Sequence, residues 1–321
     1  MTAAVFPTAK HAAGMYESFY LRAVAPDARR GVWIRHTVHK APGENPRGSV
    51  WITFWDGDGE PFACKETTDQ LSVPPAGWID VGGSSFGPAR ATGSCGAAAW
   101  ELGIQARAPM LRHLRRPVLY RAPLPKTKLT SPAPLALFGG SLQIGEREID
   151  LHGWRGMVGH NWGAEHAERW IWMHGVDFGE DGAAWIDVAI GRLLIAGRMT
   201  PWVANGAVSL EGKTHALGGL LARGVEVREA VGHADLVLPG AGGLRVAATL
   251  DAPREAIVGW RYADPAGGEH DSLNCSVAAL SLTVSAPHVA TRTLRTAHGG
   301  VYELGVRERD HGVPLQPFGD G

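Results

Sequence analysis

The sequence predicts an all-β protein built as two antiparallel barrels or sandwiches in tandem. Glycine and proline number 43 and 21 among 321 residues, a share that suits short strands joined by tight turns and that long helices do not tolerate. Apolar and polar residues alternate with period two along most of the chain, as half-buried strands require. The length fits one large or two medium domains.

In chain order, the alternation predicts strands over Trp33–Lys40, Ser49–Asp56, Arg169–Phe178, Ala184–Ile190, Gly224–Ala230, Leu244–Leu250, Ile257–Tyr262 and Asn274–Ser285. Turn dipeptides fall between them, namely Asp56-Gly57, Asn205-Gly206 and Gly242-Gly243, which read as hairpin connections. The run Ala108–Leu119 is the one stretch that could hold a short helix. Division into two units puts the junction near residue 190, with the first unit at 1–190 and the second at 191–321.

Charge excludes some functions. The 31 Lys and Arg balance 32 Asp and Glu, so the chain is not a polycation made for nucleic acid. Cys64, Cys95 and Cys275 are odd in number and far apart in sequence, which predicts reduced, structural thiols. No basic, apolar leader opens the sequence and no run of about 18 apolar residues occurs, so the expected location is the cytoplasm. Residues 102–145 hold seven Lys or Arg, six Pro and no Asp or Glu. This stretch reads as a solvated connection or as a peripheral contact with anionic lipid, where each cation is worth about 1 kcal/mol.

The chemistry concentrates in residues 152–187, which hold five of the 12 Trp and four of the 14 His. Period two sets His160 with Trp162, Trp170 with Trp172 and His174, and Trp185 with Asp187 on shared strand faces. Asp187 interrupts an otherwise apolar strand, where a carboxylate either finds hydrogen bonds or stays protonated. Raised to about 7, it would be a general acid at neutral pH. Glu165 and His166 are expected on a turn after Gly163. A metal site from His160, Glu165, His166 and His174 is disfavoured, because an extended strand separates six residues by about 20 Å. No metal and no cofactor are expected, and the partner is a hydrophobic small molecule.

The run Gly159-His160-Asn161-Trp162-Gly163, then Trp170-Ile171-Trp172, then Trp185-Ile186-Asp187 resembles the tandem-lipocalin superfamily of carotenoid hydratases (hydroxyneurosporene synthases), to which tocopherol cyclases and lipocalin-like Diels-Alderases are related. The resemblance covers about residues 140–190. It implies two lipocalin-like barrels with an elongated apolar pocket near their junction. It also implies an H-x-W motif, met by His160 and Trp162, and a Y-x-D motif, met by Asp187 with Trp185 in place of the tyrosine. On this reading, protonated Asp187 protonates an isoprenoid or polyene alkene, Trp162 and Trp185 stabilise the cation, and His160 activates water or returns the proton. Trp170, Trp172, His174 and Asn161 would bind the substrate. A non-catalytic carrier of an apolar ligand and a pericyclase are the alternatives.

Overall fold

The computed structural model describes residues 2–195 and 197–318. It is all-β as expected: among the described residues there is no α-helix, only four short 3-10 turns at Phe6–Thr8, Pro117–Tyr120, Ala241–Gly243 and Arg254–Ala256. Thirteen strands between Met15 and Gly163 make a nearly closed first sheet, and ten strands between Arg169 and Val306 make a half-barrel second sheet.

Both sheets close in the same way. In the first, the opening strand Met15–Val24 lies between its hairpin partner Arg30–Lys40 and the closing strand Trp154–Gly163. In the second, Arg169–Gly175 lies between Trp185–Arg192 and the closing strand Val289–Val306. The repeat of this closure makes the architecture tandem.

The change of sheet falls between Gly163 and Arg169, about twenty residues before the junction expected at 190. From the sequence, the motif strands could end the first unit or bridge both. Pairing separates them: Trp154–Gly163 closes the first sheet, whereas Trp185–Arg192 pairs with Arg169–Gly175 and Val203–Leu210 in the second.

Two local expectations also change. The run 108–119 is no helix but a two-residue strand, Leu111–Arg112, followed by the 3-10 turn Pro117–Tyr120, since Pro117 lacks the N–H a longer helix needs. Asn205-Gly206 is not a turn but lies within the strand Val203–Leu210. Gly206 is there for close approach: a Cβ would lie 2.1 Å from the Asp187 carbonyl oxygen. Asp56-Gly57 and Gly242-Gly243 do sit at turns, with φ of 64° at Gly57 and 65° at Gly242.

One apolar core fills the first sheet, with Phe19, Leu21, Ile34, Ile52 and Val158. A second core joins the two sheets: Trp33, Trp51 and Trp55 of the first pack with Trp260, Leu273 and Leu304 of the second. Trp55 Nε1 donates to the Ala256 carbonyl at 2.7 Å. Burial of these indoles, at 150–250 Å² for a typical aromatic side chain, is what holds one sheet on the other.

Candidate active site between the two sheets

The strand Met15–Val24 decides which residues face the junction. Its register sets Tyr20 opposite Arg35 on one side and Gly159 on the other, and Ser18 opposite Asn161. Alternation therefore turns Tyr16, Ser18, Tyr20 and Arg22 toward the second sheet, together with Trp33, Arg35 and Asn161. Glu17 and Phe19 turn the other way, opposite Trp162 and His160.

Between the sheets lies a mostly apolar cavity of about 170 Å³. Tyr16, Tyr20, Trp33, Arg35 and Asn161 come from the first sheet; Trp170, Trp172, Tyr262 and Glu303 come from the second. Its third wall is the Pro-rich connection read as a surface stretch, which supplies His113, Leu114, Pro125, Thr127 and Leu129. Pockets for drug-sized ligands usually measure about 300–1,000 Å³. The space therefore matches a small ligand, or one end of a longer one.

Asp187 is fully buried just behind this wall. Trp172 Nε1 donates to its Oδ1 at 3.1 Å, Ser131 Oγ donates to Oδ2, and His113 Nε2 stands 3.4 Å from Oδ1. Burial alone raises its pKa, but His113, the more distant His174 and the Ser131 hydroxyl outweigh it and hold the carboxyl at about 2. At Asp187 both carboxyl oxygens act as acceptors, Oδ1 from Trp172 and Oδ2 from Ser131. Trp172, Ser131 and His113 favour the ionised form over the protonated general acid expected from the sequence, and two of the three, His113 and Ser131, come from the stretch read as a connection. The strand Thr127–Ile144 shifts register between Thr130 and Ala133, and this irregularity carries Ser131.

The other sequence-predicted residues divide. Trp170, Trp172 and Asn161 line the cavity. His160 and Trp162 do not. They lie on the opposite face of the first sheet, where His160 Nε2 is 2.7 Å from Glu17 Oε1 and its ring stacks between Phe19 at 4.1 Å and Trp162 at 4.5 Å. Burial pulls the His160 pKa down, against the pull of Glu17. Trp185 packs in the inter-sheet core and stays out of the cavity wall. His174 is a fixed neutral imidazole: Nε2 donates to the Pro134 carbonyl at 3.0 Å, Nδ1 accepts from Arg22 at 3.0 Å, and burial with Arg22 lowers its pKa to about 4.

Sequence reasoning missed His113, Ser131, Tyr20, Arg35, Tyr262 and Glu303. A signal existed for Tyr20: residues 16–22 alternate Tyr, Ser, Tyr, Arg on one face. None existed for His113, a single histidine in a loop of arginines. His166, expected on a turn, does follow the end of the first sheet, where it stacks on Tyr16 with ring centroids 4.0 Å apart. Its Nδ1 is 2.7 Å from Asp264 Oδ1, and each of His166, Asp264 and His270 offers one ligand atom within 4.8 Å of the others. These residues could hold a divalent metal, with donors that the sequence does not place together. Cys64 and Cys95, distant in sequence, form with Glu66 the other such group among the described residues.

No family model matches the chain. Proteins MT0513 and Rv0493c of two Mycobacterium tuberculosis strains, both described as uncharacterized, are each 30% identical over 308 residues, or 95% of this chain and 90% of theirs. Among solved structures, CghA with Sch210972 superposes at a TM-score of 0.61 with 11% identity, over 92% of this chain and 88% of that one. A candidate AttH (NE1406) from Nitrosomonas europaea gives 0.54 with 10% identity, over 96% and 98%. Kievitone hydratase from Nectria haematococca gives 0.53 with 10% identity, over 98% and 94%. The chain has the tandem lipocalin-like fold of these structures, and it belongs to the family of the two mycobacterial proteins.

Proposed function

We propose that the protein is an enzyme that moves a proton at a carbon–carbon double bond of an apolar small molecule, hydrating it or closing a ring. His113 carries the proton and Asp187 holds His113. The observation that carries this reading is the placement of His113, at the wall of an apolar cavity, 3.4 Å from a buried carboxylate that accepts from Trp172 and Ser131. The shared fold with a kievitone hydratase supports hydration as the first reaction to test.

Asp187 faces Nε2 of His113, which leaves Nδ1 as the nitrogen for proton transfer. In a hydration, water gives its proton to Nδ1 while its oxygen bonds to one alkene carbon. The π electrons pass to the other carbon, which then takes the proton back from Nδ1. Asp187 stabilises the imidazolium in between. An imidazolium is a weak acid, so the alkene has to be polarised by conjugation; an isolated isoprenoid alkene would need the strong acid that Asp187 is not. Trp172 and Asn161 border the same space, and Trp172 couples it to Asp187 through its indole N–H.

The test is product analysis after incubating wild type, His113→Asn and Asp187→Asn with conjugated and unconjugated isoprenoids and polyenes in deuterated, oxygen-18-labelled water. Wild type is expected to place deuterium on carbon, with oxygen-18 alongside it if the reaction is hydration, and His113→Asn to lose about 10²–10⁴ in rate. Unlabelled ring products would instead favour a pericyclase. Binding without turnover across the series would make the protein a carrier.

A further inference from the structure

Arg35 is buried at 6% exposure on the cavity wall, yet none of the described carboxylates pairs with it. Of its donors, Nε reaches Ser18 Oγ at 2.6 Å and Nη1 is buried with no partner. Its guanidinium lies over the rings of Tyr262, Trp51 and Trp33, at 4.2, 5.3 and 5.9 Å from their centroids. Aromatic faces attract a cation but do not occupy its N–H groups. Glu303, on the same cavity, is engaged elsewhere: Trp170 Nε1 donates to its Oε1 at 2.9 Å and Asn274 Nδ2 to its Oε2 at 3.1 Å. Arg22, also buried without a carboxylate, spends both of its Nη groups on His174 and two backbone carbonyls, whereas Arg35 keeps its buried Nη1 unpartnered, which is costly.

We propose that Arg35 is the docking point for an acidic oxygen group, a carboxylate or an enolate, at one end of the cavity's apolar ligand. A planar fork of donors suits a two-oxygen anion. Tyr20 stands directly across from Arg35 in the strand pairing, and its ring meets Trp172 edge-on at 5.2 Å. The phenol thus lies between the cationic end and the indole that bonds Asp187. A ligand anchored on Arg35 would extend past Tyr20 toward His113, with the oxyanion drawing electrons from a conjugated alkene. The inference deepens the proposed function and rests on it for the placement of the reacting alkene, but not for anion binding.

The experiment titrates wild type, Arg35→Met and Arg35→Lys with geranic acid, methyl geranate and geraniol, and with straight-chain acids from hexanoate to decanoate, following tryptophan fluorescence and calorimetry. Wild type is expected to prefer the ionised acid over its ester and alcohol by about tenfold or more. Arg35→Met should lose that preference while still binding the ester, and Arg35→Lys should keep part of it. His113→Asn should leave it intact, so a preference that persists alongside normal turnover in His113→Asn sinks only the catalytic reading. Without ligand, Arg35→Met should unfold at the same or higher urea concentration than wild type. Equal affinity for acid, ester and alcohol, a preference surviving in Arg35→Met, or no binding of any acid overturns the proposal. So does a large loss of stability in Arg35→Met, which would make the guanidinium a structural cation.

A second, independent observation concerns the outer rim. Of the nine exposed large apolar side chains among the described residues, seven lie in the segments 118–124, 194–199 and 220–221, led by Leu221 at 88% and Val118 at 65% exposure. These same segments and their neighbours supply Leu114, Pro125, Leu193 and Leu220 to the cavity wall. Arg115, Arg116, Arg121, Arg198 and Arg223 are interspersed, and no Asp or Glu occurs in 102–145, 188–210 or 212–225. Arg115 and Leu221 line one surface depression, with Arg223 beside them.

We infer that this rim rests on an anionic bilayer surface and takes up the apolar ligand from it. Exposed apolar side chains set among cations without carboxylates match that partner in both hydrophobicity and charge. Co-sedimentation with phosphatidylcholine vesicles, with and without phosphatidylglycerol, tests it. Binding is expected only with phosphatidylglycerol, reversed by high salt, and lost in an Arg115→Glu, Leu221→Asp double variant whose urea unfolding is unchanged. Equal binding to neutral vesicles, no binding, or vesicle-independent self-association abolished by the same double variant would overturn it.

Discussion

Asp187 shows how a residue's neighbours set its chemistry. In sequence it is a lone acid in an apolar strand, and burial alone would keep it protonated. Ser131, Trp172 and His113 give it the partners of an ionised carboxylate, and in the proposed function the proton-transfer role passes to the histidine. The same scale explains why Gly159 stands across from Tyr20: a Cβ there would lie 2.1 Å from Cζ and 2.4 Å from Oη of the phenol. Gly159→Ala is therefore expected to displace Tyr20 into the cavity. It should cost about 1–3 kcal/mol in urea unfolding, as overpacking does, and weaken binding of apolar probes at least as much as Tyr20→Phe. Unchanged binding in Gly159→Ala would mean that Tyr20 does not shape the cavity.

At the scale of elements, the opening strand Met15–Val24 was not among the strands read from the sequence, although it organises the site. Every residue of it is buried, so it lacks the apolar-polar alternation of a half-exposed strand. Its even-numbered residues reach the second sheet, most firmly through Arg22. The Arg22 guanidinium bonds His174 Nδ1 at 3.0 Å and donates to the carbonyls of Ser276 at 2.9 Å and Gly300 at 3.3 Å. Arg22→Ala would leave these acceptors buried and unpaired. With each such group worth about 1–3 kcal/mol, the expected loss is about 3 kcal/mol or more, measured by denaturant unfolding. Arg22→Lys should recover only part of it, because an ammonium cannot span the same acceptors. The short strand Leu111–Arg112 and the irregular start of Thr127–Ile144 were also illegible, since prolines mask any period. His113 directly follows the first piece and Ser131 lies in the second, which is why half of the His113–Ser131–Asp187–Trp172 cluster was missed.

For the whole molecule, acid sensitivity follows from buried neutral histidines. His36, His174 and His270 are buried, and burial brings each from 6.5 to about 4. The unfolded chain therefore takes up protons that the folded one refuses. Stability from this source is complete above pH 6.5 and is lost as the pH falls from 6.5 toward 4. Each histidine contributes a slope of up to about 1.4 kcal/mol per pH unit. Three of them can consume most of a typical stability of about 5–15 kcal/mol, so urea midpoints should drop steeply across this window. His36→Phe should flatten the slope by one proton, and a flat profile between pH 6.5 and 4 would contradict the burial of these rings.

Composition and period two determined that the chain is all-β and doubled, and the spacings grouped Trp170 with Trp172 and Trp185 with Asp187 along their own strands, while the pairing of those two strands brought Trp172 to Asp187. These properties are local: alternation along a strand fixes which side chains share a face. Which face turns toward the cavity was decided only by pairing between distant strands. That pairing sent His160 and Trp162 to the inner side of the first sheet and Asn161 to the cavity. It also set Asp187 beside a histidine 74 residues away in sequence, and left Arg35 without a carboxylate partner among the described residues. Such electrostatic states depend on distance in space, and strand registry across the two sheets sets that distance.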